Sequence, residues 1–171
     1  MASTATASTK ERLSRDSLAA GALDLADREG LEAVTIRRLA QEHSVTPMAL
    51  YWHFKDKEAV LDGIAERIFA SVRLPEPTDE AWDVQLREAL LAVLAAIRPH
   101  PLVAELLAPR VMKSEAGLEL AERVIGMLRG TGFSAALASQ TASFLPCSLV
   151  ALATSEPGKS TLLTADALAV L

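Results

Sequence analysis

The chain has 171 residues, half of them hydrophobic, with aromatics at only 4% and a formal net charge of −5. That length holds one ordinary domain, or a small one and a larger one, and few aromatics beside abundant alanine and leucine predict a helical core. The single cysteine, Cys147, excludes an internal disulfide, the acid surplus excludes nucleic-acid binding through a broadly basic face, and nothing reads as a signal peptide or an apolar run of transmembrane length, so a cytoplasmic protein without membrane contact is expected.

Charge is just as flat along the chain. Residues 1–60 carry eight Lys and Arg against nine Asp and Glu, and residues 61–171 carry nine against thirteen. Local basic placement stays possible, because phosphate contacts need only a few positioned donors.

In chain order, residues 1–12 begin MASTATAST, small and polar, and read as a disordered lead. Lys10, Arg12 and Arg15 either lie near phosphate or form a solvated basic lead-in. Ser14 is the expected N-cap of a first helix with Leu18, Ala22, Leu25 and Ala26 in its stripe, stopped at Gly30. Leu31 and Val34 follow as core anchors.

The stretch from Val34 to Lys57, VTIRRLAQEHSVTPMALYWHFKDK, is the most informative. Thr35 caps a helix whose Ile36, Leu39 and Ala40 share one face. The pattern stops near Ser44. Thr46-Pro47 restarts it, an N-cap followed by proline at the first helical position. The second helix, Pro47 to His53, is too short to stand alone in water. A short helix braced by its predecessor, with polar and aromatic groups outward, has the layout of a helix-turn-helix reader. Leu50 and Phe54 are its expected core residues.

Asp56 caps a long helix to about Arg73, with Val60, Leu61, Ile64, Ile68 and Val72 expected inward. LPEPTDE then breaks helix and marks the clearest boundary. A helix from Asp79 to Ile97 carries Trp82, Leu86, Leu90, Val93, Leu94 and Ile97, and Arg98-Pro99-His100-Pro101 ends it. A short LVAELLA helix is expected to end at Pro109. Ser114 to Arg129 follows, with Leu118, Ala121, Ile125 and Leu128 inward. After Gly130-Thr131-Gly132 a last helix starts at Phe133 or Ser134 and runs to about Thr154, with a kink or a lost hydrogen bond expected at Pro146. SEPGKS reads as loop and TLLTADALAVL as an apolar fragment.

The run ALYWHFKDKEAVLDGI resembles the DNA-binding signature of the TetR family of transcriptional regulators, strongly from Ser14 to about Ala65 and more loosely beyond. The resemblance implies an all-α fold: an N-terminal three-helix helix-turn-helix domain over residues 13–58, linked by the helix 56–73 to a larger helical domain, residues 59–171, for ligand binding and dimerisation. It implies phosphate contact at Thr35 and a base-reading role for Arg37, guanine being the natural partner of a bidentate guanidinium. Pro47, Met48 and Ala49 would face the groove. Tyr51, Trp52 and His53 would meet phosphate through OH, indole NH and ring NH, and Lys57 matches a phosphate-binding lysine. Two positions depart from the pattern: His43 stands where an apolar residue is usual, and Ser44 stands at a turn position where glycine is common. Serine enters a left-handed turn only at a cost.

For the larger part, the resemblance implies a small-molecule pocket, whose expected lining is Trp82, Leu86, Leu106, Met112, Met127, Phe144 and Cys147, with His100, Glu105 and Arg110 as polar partners. The magnesium-binding histidine of the tetracycline-type branch has no clear counterpart, so no metal or other cofactor is expected. The helix Ser134 to Ala153 is rich in small residues and matches the family's dimer-forming helix. Family chains usually continue further, so either the last helix is cut down or residues are missing between Gly158 and Leu162.

The function these features imply is a ligand-responsive DNA-binding transcriptional regulator, a homodimeric repressor released from a double-stranded operator by a small-molecule effector. Low positive charge in the first 60 residues leaves open an alternative, a helical adaptor dimer of the same fold that does not bind DNA. An enzyme is not expected: no base neighbours Cys147, the three histidines lack metal-ligand spacing, and there is no Gly-rich phosphate loop.

Overall fold

The computed structural model describes residues 13–76 and 78–154, with backbone only at 146, 147 and 151–154. The expected lead, residues 1–12, and the loop and apolar fragment after Thr154 lie outside the described residues. Among the described residues there are eight α-helices, two short 3-10 segments and no strand, the all-α fold expected.

Helix α1 spans Arg15–Glu29 and starts on a capping box in which the Ser14 hydroxyl accepts from the Ser17 amide at 3.0 Å and Ser17 answers in kind. Leu18, Ala22, Leu25 and Ala26 are fully buried. Gly30, at φ 84°, ends the helix, and a 3-10 turn, Leu31–Ala33, leads to Val34, also fully buried.

Helix α2, Ile36–Glu42, is capped by Thr35, which accepts from the Arg38 amide at 3.1 Å. Its end is a Schellman turn: Val45 N–H donates to the Ala40 carbonyl at 2.9 Å and Ser44 N–H to that of Gln41 at 3.1 Å. Ser44 sits at φ 53°. A serine thus takes the left-handed position that glycine takes at lower cost. His43 is half-buried against Gly21 of α1, where a Cβ would strike its ring.

Helix α3 spans only Pro47–Tyr51, capped by Thr46 with proline in its first turn. Trp52 and His53, expected inside the helix, form the turn after it. Leu50 and Phe54 are buried, worth about 1.5–3 kcal/mol each relative to exposure. Asp56 caps α4, Lys57–Ser71, by accepting from the Ala59 amide at 2.8 Å. Val60, Leu61, Ile64 and Ile68 are buried as expected, but Val72 is half-exposed, because the helix stops before it.

Helix α5 spans Trp82–Ile97 and begins three residues later than expected. Gln85 folds back and donates to the Thr78 and Glu80 carbonyls at 3.0 and 2.7 Å, holding residues 78–81 as a loop. Helix α6 is one turn, Ala104–Leu107. Pro109 does not end the coil there: a 3-10 segment, Ala108–Lys113, carries on, since proline is tolerated in a first turn. Helix α7, Glu115–Gly130, is capped by the buried Ser114. Of its expected inward face, Leu128 is buried and Ala121 and Ile125 are half-buried, with Gly117 and Val124 buried beside them, but Leu118 is exposed. The cause is close approach at Gly117, where a Cβ would collide with the Val111 carbonyl. Helix α8, Ala135–Thr154, continues through Pro146, whose missing N–H removes one rung.

Buried side chains form one cluster running from α1 through α4 into α5 and α6, with Leu149 of α8. A smaller cluster joins Val124, Leu128 and Ala138. The main cluster is therefore continuous across residues 58–59. Polar bridges cross the same seam: Asp27 Oδ2 of α1 lies 2.6 Å from His100 Nδ1, and Arg110 reaches Glu58 at 2.6 Å and Asp62 at 3.0 Å on α4.

Two substitutions test these local accounts. Ser44→Gly relieves the left-handed strain and is expected to raise unfolding stability by about 1 kcal/mol in denaturant titration, despite greater unfolded-chain entropy. Gly117→Ala, helpful on helix propensity alone, should instead destabilise by about 1–3 kcal/mol, because backbone blocks the new methyl. An unchanged midpoint for either would contradict the geometry given.

Candidate nucleic-acid interface and apolar cavity

The interface is built on α3. Leu50 and Phe54 anchor its inner side, and the Arg15 guanidinium lies 4.9 Å over the Phe54 ring. The outer side is left bare. Met48 is 68% exposed, Tyr51 51% and Trp52 86%. Pro47 is exposed as well, Ala49 is half-buried with its amide on Thr46, and His53 is half-exposed on the turn. Large apolar groups clustered in this way mark a contact surface.

Next to it, α2 sorts its cations. Arg38 binds Glu29 at 2.7 Å and Glu42 at 3.3 Å, and Arg28 binds Glu42 at 3.0 Å. The Arg28 hydrogen bond, helped by the charges of Arg28 and Arg38, holds the Glu42 carboxyl below its ordinary value. Arg37, one residue away, is exposed and makes no hydrogen bond or ion pair among the described residues. Thr35 is exposed at the head of α2. Lys57, at the start of α4, sits 3.7 Å from the fully exposed Glu32 carboxylate, a pairing weak enough to exchange for another anion. Lys55, which the sequence reading does not single out, is exposed 4.0 Å from Asp56 on the same turn. Its only sequence signal is its place in Lys55-Asp56-Lys57.

The structure thus brings Pro47, Met48, Tyr51 and Trp52 onto the exposed face of one short helix and turn, with Thr35 and Arg37 exposed on the helix before it. The expected cavity lining fares differently. A cavity of about 280 Å³ lies between α4, α5, the 3-10 segment 108–113, α7 and α8. Leu90, Val93 and Ile97 line it from α5, Leu120, Val124 and Ile125 from α7, and Ser139, Ala142, Ser143 and Leu145 from α8. Of the expected lining, Met112 is there.

The others are elsewhere for identifiable reasons. Trp82 stacks edge-on to Phe133 at 6.1 Å, and Leu86 packs on the smaller cluster. Leu106 is buried in the main cluster, and His100 is held by Asp27. Glu105 and Phe144 are exposed, Phe144 at 72%. Met127 is half-buried on α7 but does not line the cavity, Arg110 is committed to α4, and the Cys147 side chain lies outside the described residues. Among the described residues no group of three His, Cys, Asp or Glu could hold a metal ion, and no helix is long and apolar enough to cross a membrane.

Comparison with known proteins agrees with this geometry. Residues 18–64 match the family model for bacterial regulatory proteins of the tetR family, and residues 74–162 match that for the tetracyclin repressor-like C-terminal domain. An HTH-type transcriptional regulator of Saccharopolyspora erythraea is 32% identical over 132 residues, covering 75% of this chain and 54% of the relative. The class E tetracycline repressor of Escherichia coli is 38% identical over 92 residues, covering 52% and 43%. The chain thus spans about half the length of these curated relatives. Among solved structures, the Streptomyces coelicolor TetR family protein ActR in complex with (S)-DNPA superposes with a TM-score of 0.76 at 30% identity, covering 82% of this chain and 70% of that one. BioQ with its double-stranded DNA operator gives 0.74 at 30% identity, covering 94% and 100%. With a matched reader, a matched helical body and this shared architecture, the chain belongs to the TetR family.

Proposed function

We propose that the protein is a ligand-responsive DNA-binding transcriptional regulator, a homodimeric repressor released from a double-stranded operator by a small molecule. The observation that carries this reading is the outer face of α3, where Met48, Tyr51 and Trp52 stand exposed on a helix locked from behind. A protein with no partner for that face gains nothing by leaving it bare. Residues 13–58 act as the reader and residues 59–171 as the ligand-binding and dimerising part, with the helix around 56–73 between them. Arg37 reads a base edge, while Met48 and Ala49 approach thymine methyls with Pro47 beside them. Thr35, Tyr51, Trp52, His53 and Lys57 hold phosphates. BioQ, solved with its operator, and ActR, solved with (S)-DNPA, support the two halves of the reading by likeness.

The exposed Leu137 and Phe144 of α8 suit a second copy of the chain. Two readers then engage half-sites about one helical turn or more apart, and linkage raises avidity well above that of one weakly charged reader. The ligand acts through the segment 108–113. Val111 and Met112 line the cavity, and Arg110 of the same segment grips Glu58 and Asp62 on α4. A ligand that fits one placement of that segment better than another shifts α4 and, with it, the reader.

Capture of genomic fragments by the purified protein, followed by titration at several salt concentrations, tests DNA binding. Lys57→Ala is expected to weaken binding across all sequences and to reduce the salt slope by about one, whereas Arg37→Ala should cost about 1–3 kcal/mol and relax preference at one base pair. No captured site at moderate salt, with both variants behaving as the parent, would favour the adaptor. Arg110→Ala should leave operator affinity nearly intact and blunt ligand-induced release. Full release from the variant would sink the proposed coupling route.

A further inference from the structure

We infer that the cavity takes a neutral alcohol or phenol, with a hydrophobic body about twice the size of benzene and a hydroxyl at one end. The inference rests on the regulator reading for its biological role, and on the cavity alone for its chemistry. A dry apolar cavity of about 150 Å³ is known to hold benzene, and this one is about 280 Å³. Among the described residues its wall is apolar but for Ser139 and Ser143, Phe69 is its one aromatic residue, and no Lys, Arg, His, Asp or Glu lines it. A carboxylate, an ammonium or a chelated metal would lose its hydration there and meet no counter-charge. The cations nearest in sequence face away. Arg110 and Lys113 flank Val111 and Met112 but line a separate charged cleft with Asp62 and Glu66.

The polar side chains of the lining are Ser139 and Ser143, one turn apart on α8 and both exposed, so they mark the mouth. The Ser143 hydroxyl donates to the Ser139 carbonyl at 2.8 Å. Its proton is used, and it meets a ligand as an acceptor. The Ser139 hydroxyl has no side-chain partner among the described residues and is free to donate. One acceptor and one donor a helical turn apart suit a hydroxyl, which donates to the first and accepts from the second. A carbonyl satisfies only Ser139, and a carboxylate cannot donate to Ser143.

Three matched probes test this on the full chain by thermal shift and calorimetry: naphthalene, 2-naphthol and 2-naphthoate. We expect 2-naphthol to raise Tm and to bind at least about ten-fold tighter than 2-naphthoate, a difference of about 1.4 kcal/mol. Ser139→Ala, a surface change that leaves the fold alone, should weaken 2-naphthol several-fold and leave naphthalene unchanged. Ala142→Phe should fill the cavity and abolish binding of both. Naphthoate binding as tightly as naphthol, no probe binding at all, or binding indifferent to both variants would overturn the inference. Genomic capture run on the same preparation separates the two readings. Protein that holds DNA but rejects neutral probes loses only the ligand class, and protein that binds naphthol but no DNA loses only the regulator.

Discussion

A helix of five residues holds its shape only through what stands behind it. Alone in water, α3 would not persist, because nucleation is unfavourable and too few rungs follow. Leu50 and Phe54 supply what propensity cannot, by burying one side of the helix and its exit turn on α1 and α4. Gly63 of α4 leaves room for the Phe54 ring, and Arg15 covers that ring from α1. The orientation of α3 is thereby set by α1 and α4, the two 15-residue helices behind it, rather than by its own hydrogen bonds. Whatever faces outward from α3 is presented rigidly, which matters for recognition, where ordering a loop on contact would subtract from affinity.

The same platform handles charge. Its acids and bases nearly balance, yet they are not spread evenly. Arg28 and Arg38 are consumed by Glu29 and Glu42, while Arg37 makes no hydrogen bond or ion pair among the described residues. Glu42, with its folded value lowered by Arg28, contributes stability above the ordinary carboxylate range, and that contribution fades only as pH falls through the lowered value. At neutral pH, well above that range, the Glu42 carboxylate keeps Arg28 and Arg38 occupied. Among the described residues this leaves Arg37 unpaired beside the bare side chains of Tyr51 and Trp52, so that in the proposed function affinity depends on placed donors rather than on bulk potential.

The legible parts of the chain were the local ones. The caps at Ser14, Thr35, Thr46 and Asp56 are contacts over three residues, so the sequence itself carries them. Burial of Leu50 and Phe54 followed from period and spacing. The cavity was not legible in the same way. Its lining is chosen by how α5, α7 and α8 are rotated, and one close contact at Gly117 against Val111 is enough to turn Leu118 outward. Trp82 reads as a pocket residue until Phe133, some fifty positions on, claims it. The bridges from His100 to Asp27 and from Arg110 to Glu58 and Asp62 join residues far apart in sequence, and no spacing rule finds such pairs.

The segment 108–113 touches both halves. Pro109 restricts its backbone, and its tight 3-10 turns place neighbouring residues on different sides. Val111 and Met112 meet the cavity, and Arg110 meets α4. A stiff element between two surfaces transmits displacement better than a flexible one, since little of the motion is absorbed within it. Transmission alone is not enough, however. Under the proposed regulation, a cavity occupant changes the reader only by the difference between its affinities for two placements of this segment. In the regulator reading, a rounded apolar molecule that merely fills space would bind and signal weakly. One whose hydroxyl is fixed at the mouth by α8 while its body presses on Val111 and Met112 has the asymmetry needed to tell the two placements apart.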